Sequence, residues 1–297
     1  MVIWLALEIN TLSFCTIAAR EHGKRSKPNK EAAIKYFIIQ SVASAILVLY
    51  LSFQKERTII KTLFFAGTAA ILVKLAAAPF HSWFLEVIKK SSFTNRIILI
   101  TWQKLAPIYL LMFILKPLTV GAIFLSTLIG RIIQMYTKTF IEIIALSSVF
   151  NLGWMIMAVL ARSKTLIAFT VLYWMSILLI IVPIIKINIT EGTKDVSMNV
   201  TPWVTMMVTA TLAGLPPSIG FIAKWAVVTQ ALKTGIIITV TRMLILSTVN
   251  FYIYLRTTLT TITSQFSFKQ KQQKKTTQWT ILVAAIINIP LLPMVRI

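Results

Sequence analysis

The sequence predicts an all-α fold, a polytopic transmembrane helical bundle of about ten spans forming a single integral membrane domain over residues 1–297. Three observations carry this prediction. Mean hydropathy is +0.82 and 57% of residues are hydrophobic, while only 13% are charged, against roughly 25% in a typical soluble domain. Apolar stretches near the ~20 residues that a helical span requires recur along the whole chain, joined by short loops. These runs are unbroken and lack dyad alternation, which excludes a membrane β-barrel.

In chain order the expected spans are 2–19, 31–53, 58–78, 95–115, 118–136, 139–160, 165–186, 200–231, 236–255 and 277–295. A first half-repeat covers about 1–115, a second about 118–255, and a C-terminal helix follows. A short amphipathic piece, Phe80–Lys90, is expected at the membrane surface after the third span. The eighth stretch is too long for one simple span and contains Gly214–Leu215–Pro216–Pro217, so it reads as a discontinuous helix. Pro79, which follows three alanines, sets a similar break at the end of the third. Proline removes a backbone donor and interrupts the helical ladder. At membrane depth such breaks survive only when buried in protein or lining a hydrated cavity. Broken helices in corresponding halves of a transporter point to its ion path. One break per half hints at an inverted repeat.

The net charge of +22 is dispersed through the loops. Alternate loops from the first hold 17 Lys and Arg, including Arg131 in the 131–138 turn, and the opposite loops and tail hold 8. The richer side should face the cytoplasm or a matrix, with both termini on the other side. Anionic phospholipid, such as cardiolipin, fits this charge better than nucleic acid. Cys15 is alone, and His22 and His81 are too few and too far apart for a metal site. Rossmann, phosphate-loop, haem and iron–sulfur signatures are absent, so no cofactor is expected in this chain.

Four ionisable residues interrupt the apolar runs: Glu8 in WLALEINTLSF, Lys74 in AAILVKLAAAPFH, Lys104 in LITWQKLAPIYLL and Lys224 in LAGLPPSIGFIAKWAVV. A charge at the bilayer centre costs ~2.5–3.5 kcal/mol on insertion scales, so such residues face a protein interior or a water path. One acid and three lysines across four segments point to a relay for a charged species, and the proton is the smallest. A plainer reading pairs Glu8 with one lysine as helix glue, which still leaves two lysines unmatched. His81 is either a proton donor or a structural hydrogen-bonder. Glu31 and Glu86 read as helix-end or loop charges. Arg242 lies near a span end and can snorkel.

The segments WLALEIN, NKEAAIKYFIIQSVAS, KLAAAPFHSWFLEV, LITWQKLAPIYLL, SSVFNLGWM and LAGLPPSIGFIAKW occur in the order found in the subunit-two family of mitochondrial NADH dehydrogenase (respiratory complex I). From Trp4 to about Leu255 the chain resembles these antiporter-like membrane-arm subunits. The resemblance implies a bundle of two inverted five-helix repeats and a proton channel. Glu8 matches the family's buried glutamate and Lys74 the broken-helix lysine before APFH. Lys104 matches the central lysine of TWQK, and Lys224 the exit-side lysine. A proton would pass from the matrix side through Lys74 and Lys104 to Lys224 and out, with Glu8 acting on Lys74.

NADH, FMN, iron–sulfur clusters and ubiquinone would belong to partner subunits, as would the redox chemistry. The other membrane-arm and accessory subunits would be partners, in the mitochondrial inner membrane. The first stretch lacks a signal-peptide cleavage site and an Arg- and Ser-rich leader, so synthesis inside the organelle is expected. Relatives place a further helix before the Glu8 segment, so another subunit or lipid would cover the first span. Ala6 replaces a Gly, Asn151 stands for a histidine and Glu142 for a basic residue. Asn151 cannot titrate, which weighs against a relay through it. Two other classes stay open on the residues alone: a stand-alone cation/proton antiporter and a non-pumping membrane scaffold.

Overall fold

The computed structural model describes residues 2–20, 26–53, 60–113, 118–137, 139–191, 211–215 and 218–268. Among them it is helical without strands. In order come α1 (Val2–Ala19), α2 (Ser26–Phe53), α3 (Ile60–Leu75), α4 (Ser82–Lys90), α5 (Phe93–Ile100), α6 (Leu105–Phe113), α7 (Leu118–Tyr136), α8 (Phe140–Ala161), α9 (Ser163–Glu191), α10 (Ile219–Lys233) and α11 (Ile237–Phe268). Five helical stretches among these residues are long and apolar enough to cross a membrane, and Trp4–Ala19, Phe65–Leu75 and Ser163–Leu178 are shorter apolar helices. The expected span 277–295, and residues 200–210 of the eighth, lie outside the described residues. The chain divides into two compact units, Met1–Ser163 and Lys164–Ile297.

The first unit is organised around α8. Val149, Phe150, Leu152, Ile156 and Met157 are fully buried, and α8 packs on α4, α6 and α7. Helix α2 packs on α1, α3 and α4. Close approach of α7 and α8 depends on small residues, because a Cβ at Gly153 would collide with Thr127 and come within 3.0 Å of Ser126 Oγ. As expected, α4 is amphipathic. Trp83, Phe84, Val87 and Ile88 are buried, while Glu86 and Lys89 are exposed.

At one face of this unit α4 is tied to its neighbours by ion pairs. Lys35 meets Glu86 at 2.7 Å and Glu31 at 3.9 Å, Lys90 pairs with Glu31, and Lys89 meets Glu142 at 3.0 Å. The Lys35 ammonium holds the Glu86 carboxyl below the usual carboxylate range. Exposed pairs of this kind add little stability because water and salt screen them, so they register α4 more than they stabilise it.

Two expectations are corrected. The fourth span is not one helix: α5 ends at Ile100, a single 3-10 turn covers Trp102–Lys104, and α6 begins at Leu105. Pro107 explains the break, since it has no N–H to give the Gln103 carbonyl four residues earlier. Arg131 is not a loop charge. It lies within α7, 1% exposed, bonded to Gln134, with its guanidinium carbon 3.5 Å from the Phe150 ring centroid.

Replacing Gly153 by Ala should overpack the α7–α8 contact and cost about 1–3 kcal/mol. Gly121 has nothing within 4 Å of a built Cβ, and Gly121→Ala in the same helix pair should be neutral or slightly stabilising. Thermal denaturation in detergent checks this, and equal shifts for both variants would contradict the close α7–α8 approach.

Candidate functional site

Lys74 sits in the last turn of α3, where the helix stops at Leu75, four residues before Pro79. Ala76 takes the left-handed conformation with φ 56°. Its N–H donates to Val73 O at 3.0 Å, and that of Ala77 donates to Leu72 O at 3.0 Å. This is a Schellman closure, a position that normally favours glycine. Ala76, Ala77 and Ala78 are buried at 0–1% exposure, so the turn is locked inside the unit. Gln40 Nε2 donates to the Lys74 carbonyl at 3.4 Å. The Lys74 side chain is 4% exposed, and its Nζ has no hydrogen-bond partner, nor has the enclosed Oε1 of Glu8. Glu8 acts on Lys74 through space without forming an ion pair with it. Glu8 and Lys74 are therefore not joined as a hydrogen-bonded glue pair.

Lys104 ends the 3-10 turn and is also 4% exposed. Its Nζ donates to Ser148 O on α8 at 3.1 Å and lies 5.0 Å from the ring centroid of Phe84 on α4. The Ser147 and Ser148 hydroxyls each donate at 2.7 Å within α8, to Ile144 O and Ala145 O. Asn151, one turn further on, is buried.

His81 is buried, and its Nδ1 lies 3.2 Å from Pro79 O, to which it donates. Burial holds its pKa below the ordinary value, with the Pro79 bond opposing. This local bond fits the structural reading of His81.

The second unit holds Lys224. The helix through Thr211–Ala213 ends at Gly214, with φ 75° and its N–H donating to Thr211 O at 3.2 Å. Lys224 is 8% exposed, and its Nζ donates to Ala213 O at 2.7 Å, back across the break. A Cβ at Gly214 would stand 2.8 Å from that Nζ, and one at Gly220 would collide with Thr211 O. The two glycines of GLPPSIGF serve different ends: Gly220 leaves room for Thr211 O, and Gly214 takes the positive φ beside the tip of the Lys224 side chain. Phe221 and Trp225 stack at 6.0 Å. Pro216 and Pro217 lie outside the described residues.

Sequence reading missed three contributors: the Trp102–Lys104 turn, Arg131, and an amide cluster of Asn10, Tyr36 and Gln103 beside Lys104. Pro107 signalled the first. Among the described residues, no three His, Cys, Asp or Glu side chains group as a metal site would need.

Residues 1–250 match the family model described as NADH:quinone oxidoreductase/Mrp antiporter, TM. The chain is 33% identical over 324 residues to NADH-ubiquinone oxidoreductase chain 2 of Bos taurus, covering 100% of this chain and 92% of that one. It is 31% identical over 309 residues to the chain 2 of Hylobates lar, covering 96% and 87%. Its fold is similar to a chain of respiratory complex I from Thermus thermophilus with bound Aureothin, at TM-score 0.75 and 19% identity, covering 96% of this chain and 71% of that one. A chain of the Mrp complex from Dietzia sp. DQ12-45-1b aligns at TM-score 0.63 and 18% identity, covering 77% and 50%. With the family model spanning most of its length and relatives at this identity aligned almost end to end, the chain belongs to the transmembrane NADH:quinone oxidoreductase/Mrp antiporter family.

Proposed function

We infer that this chain is a proton-translocating, antiporter-like subunit of the membrane arm of a mitochondrial NADH:ubiquinone oxidoreductase. It is a multi-pass protein of the inner membrane and works as part of that enzyme, with other complex I subunits as partners. NADH, FMN, iron–sulfur clusters and ubiquinone act in those subunits, and anionic lipid such as cardiolipin meets the basic loops. The observation that carries this reading is that Lys74, Lys104 and Lys224 are all buried, each beside an interruption of a helix.

A lysine amine can hold or release a proton, and burial beside specific partners marks it as a functional candidate. Lys74 receives the proton under the influence of Glu8, Lys104 carries it along α8, and Lys224 delivers it to the outer side. Moving each charge against the membrane potential costs ~2.3 kcal/mol per 100 mV. The energy comes from quinone reduction elsewhere in the enzyme.

Lys74→Met and Lys104→Met should leave assembly near normal and lower NADH-driven proton pumping by roughly tenfold or more. An assembled Lys104→Met enzyme that pumps like the unmodified one would exclude a required relay there and favour a scaffold. A chain that purifies alone and exchanges cations would favour the stand-alone antiporter.

Glu8→Gln should act through Lys74. In a double-mutant cycle, Glu8→Gln/Lys74→Met should therefore pump little less than Lys74→Met alone, whereas additive losses would mean that the two sites are independent.

Gly214→Ala places a methyl group against Lys224 Nζ at a positive φ that costs about 1–2 kcal/mol in an L-residue. Pumping should fall as it does in Lys224→Met, and combining the two should add little. Normal pumping in assembled Gly214→Ala would show that Lys224 does not need its place over Ala213 O.

A further inference from the structure

Gln103 sits one residue before Lys104 in the 3-10 turn, and its side chain is the meeting point of three elements. Asn10 Nδ2 on α1 donates to Gln103 Oε1 at 2.9 Å, and Gln103 Nε2 returns a bond to Asn10 Oδ1 at 3.3 Å. The hydroxyl of Tyr36 on α2 donates to the same Oε1 at 2.8 Å. Both lone pairs of that oxygen are thus used. Gln103 is 8% exposed and Tyr36 2%, so the cluster is enclosed. None of the three side chains is placed to carry a proton onward, since the amides do not titrate and the phenol donates to an amide oxygen.

The placement gives the cluster a different task. A 3-10 turn advances three residues per turn, so its three side chains point three ways. Trp102 points outward at 58% exposure, Gln103 toward α1 and α2, and Lys104 toward Phe84 and Ser148. The turn's own backbone bonds are few, from Lys104 N to Thr101 O at 3.4 Å and from Leu105 N to Trp102 O, and Pro107 offers no N–H to the Gln103 carbonyl. Side-chain bonds from α1 and α2 add to what the main chain supplies. On α1, Leu7, Thr11, Phe14 and Ala18 are the buried stripe. At 100° per residue, Glu8 and Asn10 flank that stripe on opposite sides. The same helix thus presents Glu8, which acts on Lys74, and Asn10, which holds the turn of Lys104. An aromatic series supports the Lys104 pocket from the same helix: Phe14 to Tyr36 at 4.7 Å, Tyr36 to Trp83 at 5.9 Å, and Trp83 to Phe84 at 5.9 Å.

We propose that Asn10, Tyr36 and Gln103 are positioning residues that lock the Lys104 turn to α1 and α2, making α1 the rigid element that holds Glu8 and the Lys104 turn in one register. This deepens the reading above and rests on it. The lock acts on where the Lys104 amine sits over Ser148 O, and no member of it takes the proton.

The test uses the assembled enzyme carrying this chain, reconstituted in vesicles, with NADH-driven proton pumping as the readout. Asn10→Leu and Gln103→Leu should each lower pumping roughly two- to tenfold, the size expected for losing one or two enclosed hydrogen bonds. The double variant should be no worse than the poorer single one. The exchanged pair Asn10→Gln/Gln103→Asn keeps two facing amides of the same total length and should recover most of the loss. In a Lys104→Met background, Gln103→Leu should lower pumping no further, whereas a merely structural cluster would still add its own loss. Normal pumping in Gln103→Leu, or no recovery in the exchanged pair, overturns the proposal. If the leucine variants do not assemble, Tyr36→Phe, which removes one hydroxyl, decides by the same comparison. Lys104→Met separates the two levels. If it pumps normally the relay reading itself fails, and if it fails while Gln103→Leu is normal only the lock is wrong.

Discussion

A lysine enclosed among apolar helices must find its acceptors in the main chain when the interior offers almost no acids. That constraint organises both units. Lys104 donates to Ser148 O and Lys224 to Ala213 O, while nearby serine hydroxyls are spent on their own helices. Ala213 O stands at a helix end, where a carbonyl lacks a helical donor of its own, whereas Ser148 O lies inside α8 and offers the Lys104 amine its second lone pair. At Lys224 the break and the lysine are therefore one feature: the break supplies an acceptor that the amine occupies without reaching lipid.

Keeping such groups away from lipid requires close packing, which the sequence supplies with small residues. Ala76–Ala78 are enclosed to 0–1% exposure. Gly214 and Gly220 leave room for Lys224 and for Thr211 O. The use of alanine at φ 56°, where glycine would be unstrained, costs about 1–2 kcal/mol. Its methyl group fills the interior beside Lys74, and the surrounding helices hold the turn in place.

What the sequence disclosed follows from locality. A charge in an apolar run and a proline after a run of alanines are read within a few residues, so Glu8, the three lysines and the breaks at Pro79 and after Gly214 were legible. The turn at Trp102 was missed because its signal, Pro107, stands after Lys104 and acts four residues upstream. Its holder, Asn10, is 93 residues away in sequence, which no local pattern encodes. Arg131 was read as a loop charge because polar Gln134, Thr137 and Lys138 follow it. Its burial depends on Phe150 from the next helix, and such packing is tertiary.

The partners chosen for the lysines also separate their roles. A main-chain carbonyl can accept a bond from an ammonium or, more weakly, from a neutral amine, because both carry N–H groups. The anchors of Lys104 and Lys224 therefore suit either protonation state, whereas a carboxylate partner would favour the charged state far more strongly. Lys74 differs, since its amine has no such anchor and the neighbour acting on it is Glu8. Glu8 is itself ionisable and rides on α1, which α2 packs against. In the proposed relay, Lys74 is thus the lysine whose surroundings include a second ionisable group, while Lys104 and Lys224 are the ones anchored to main-chain carbonyls.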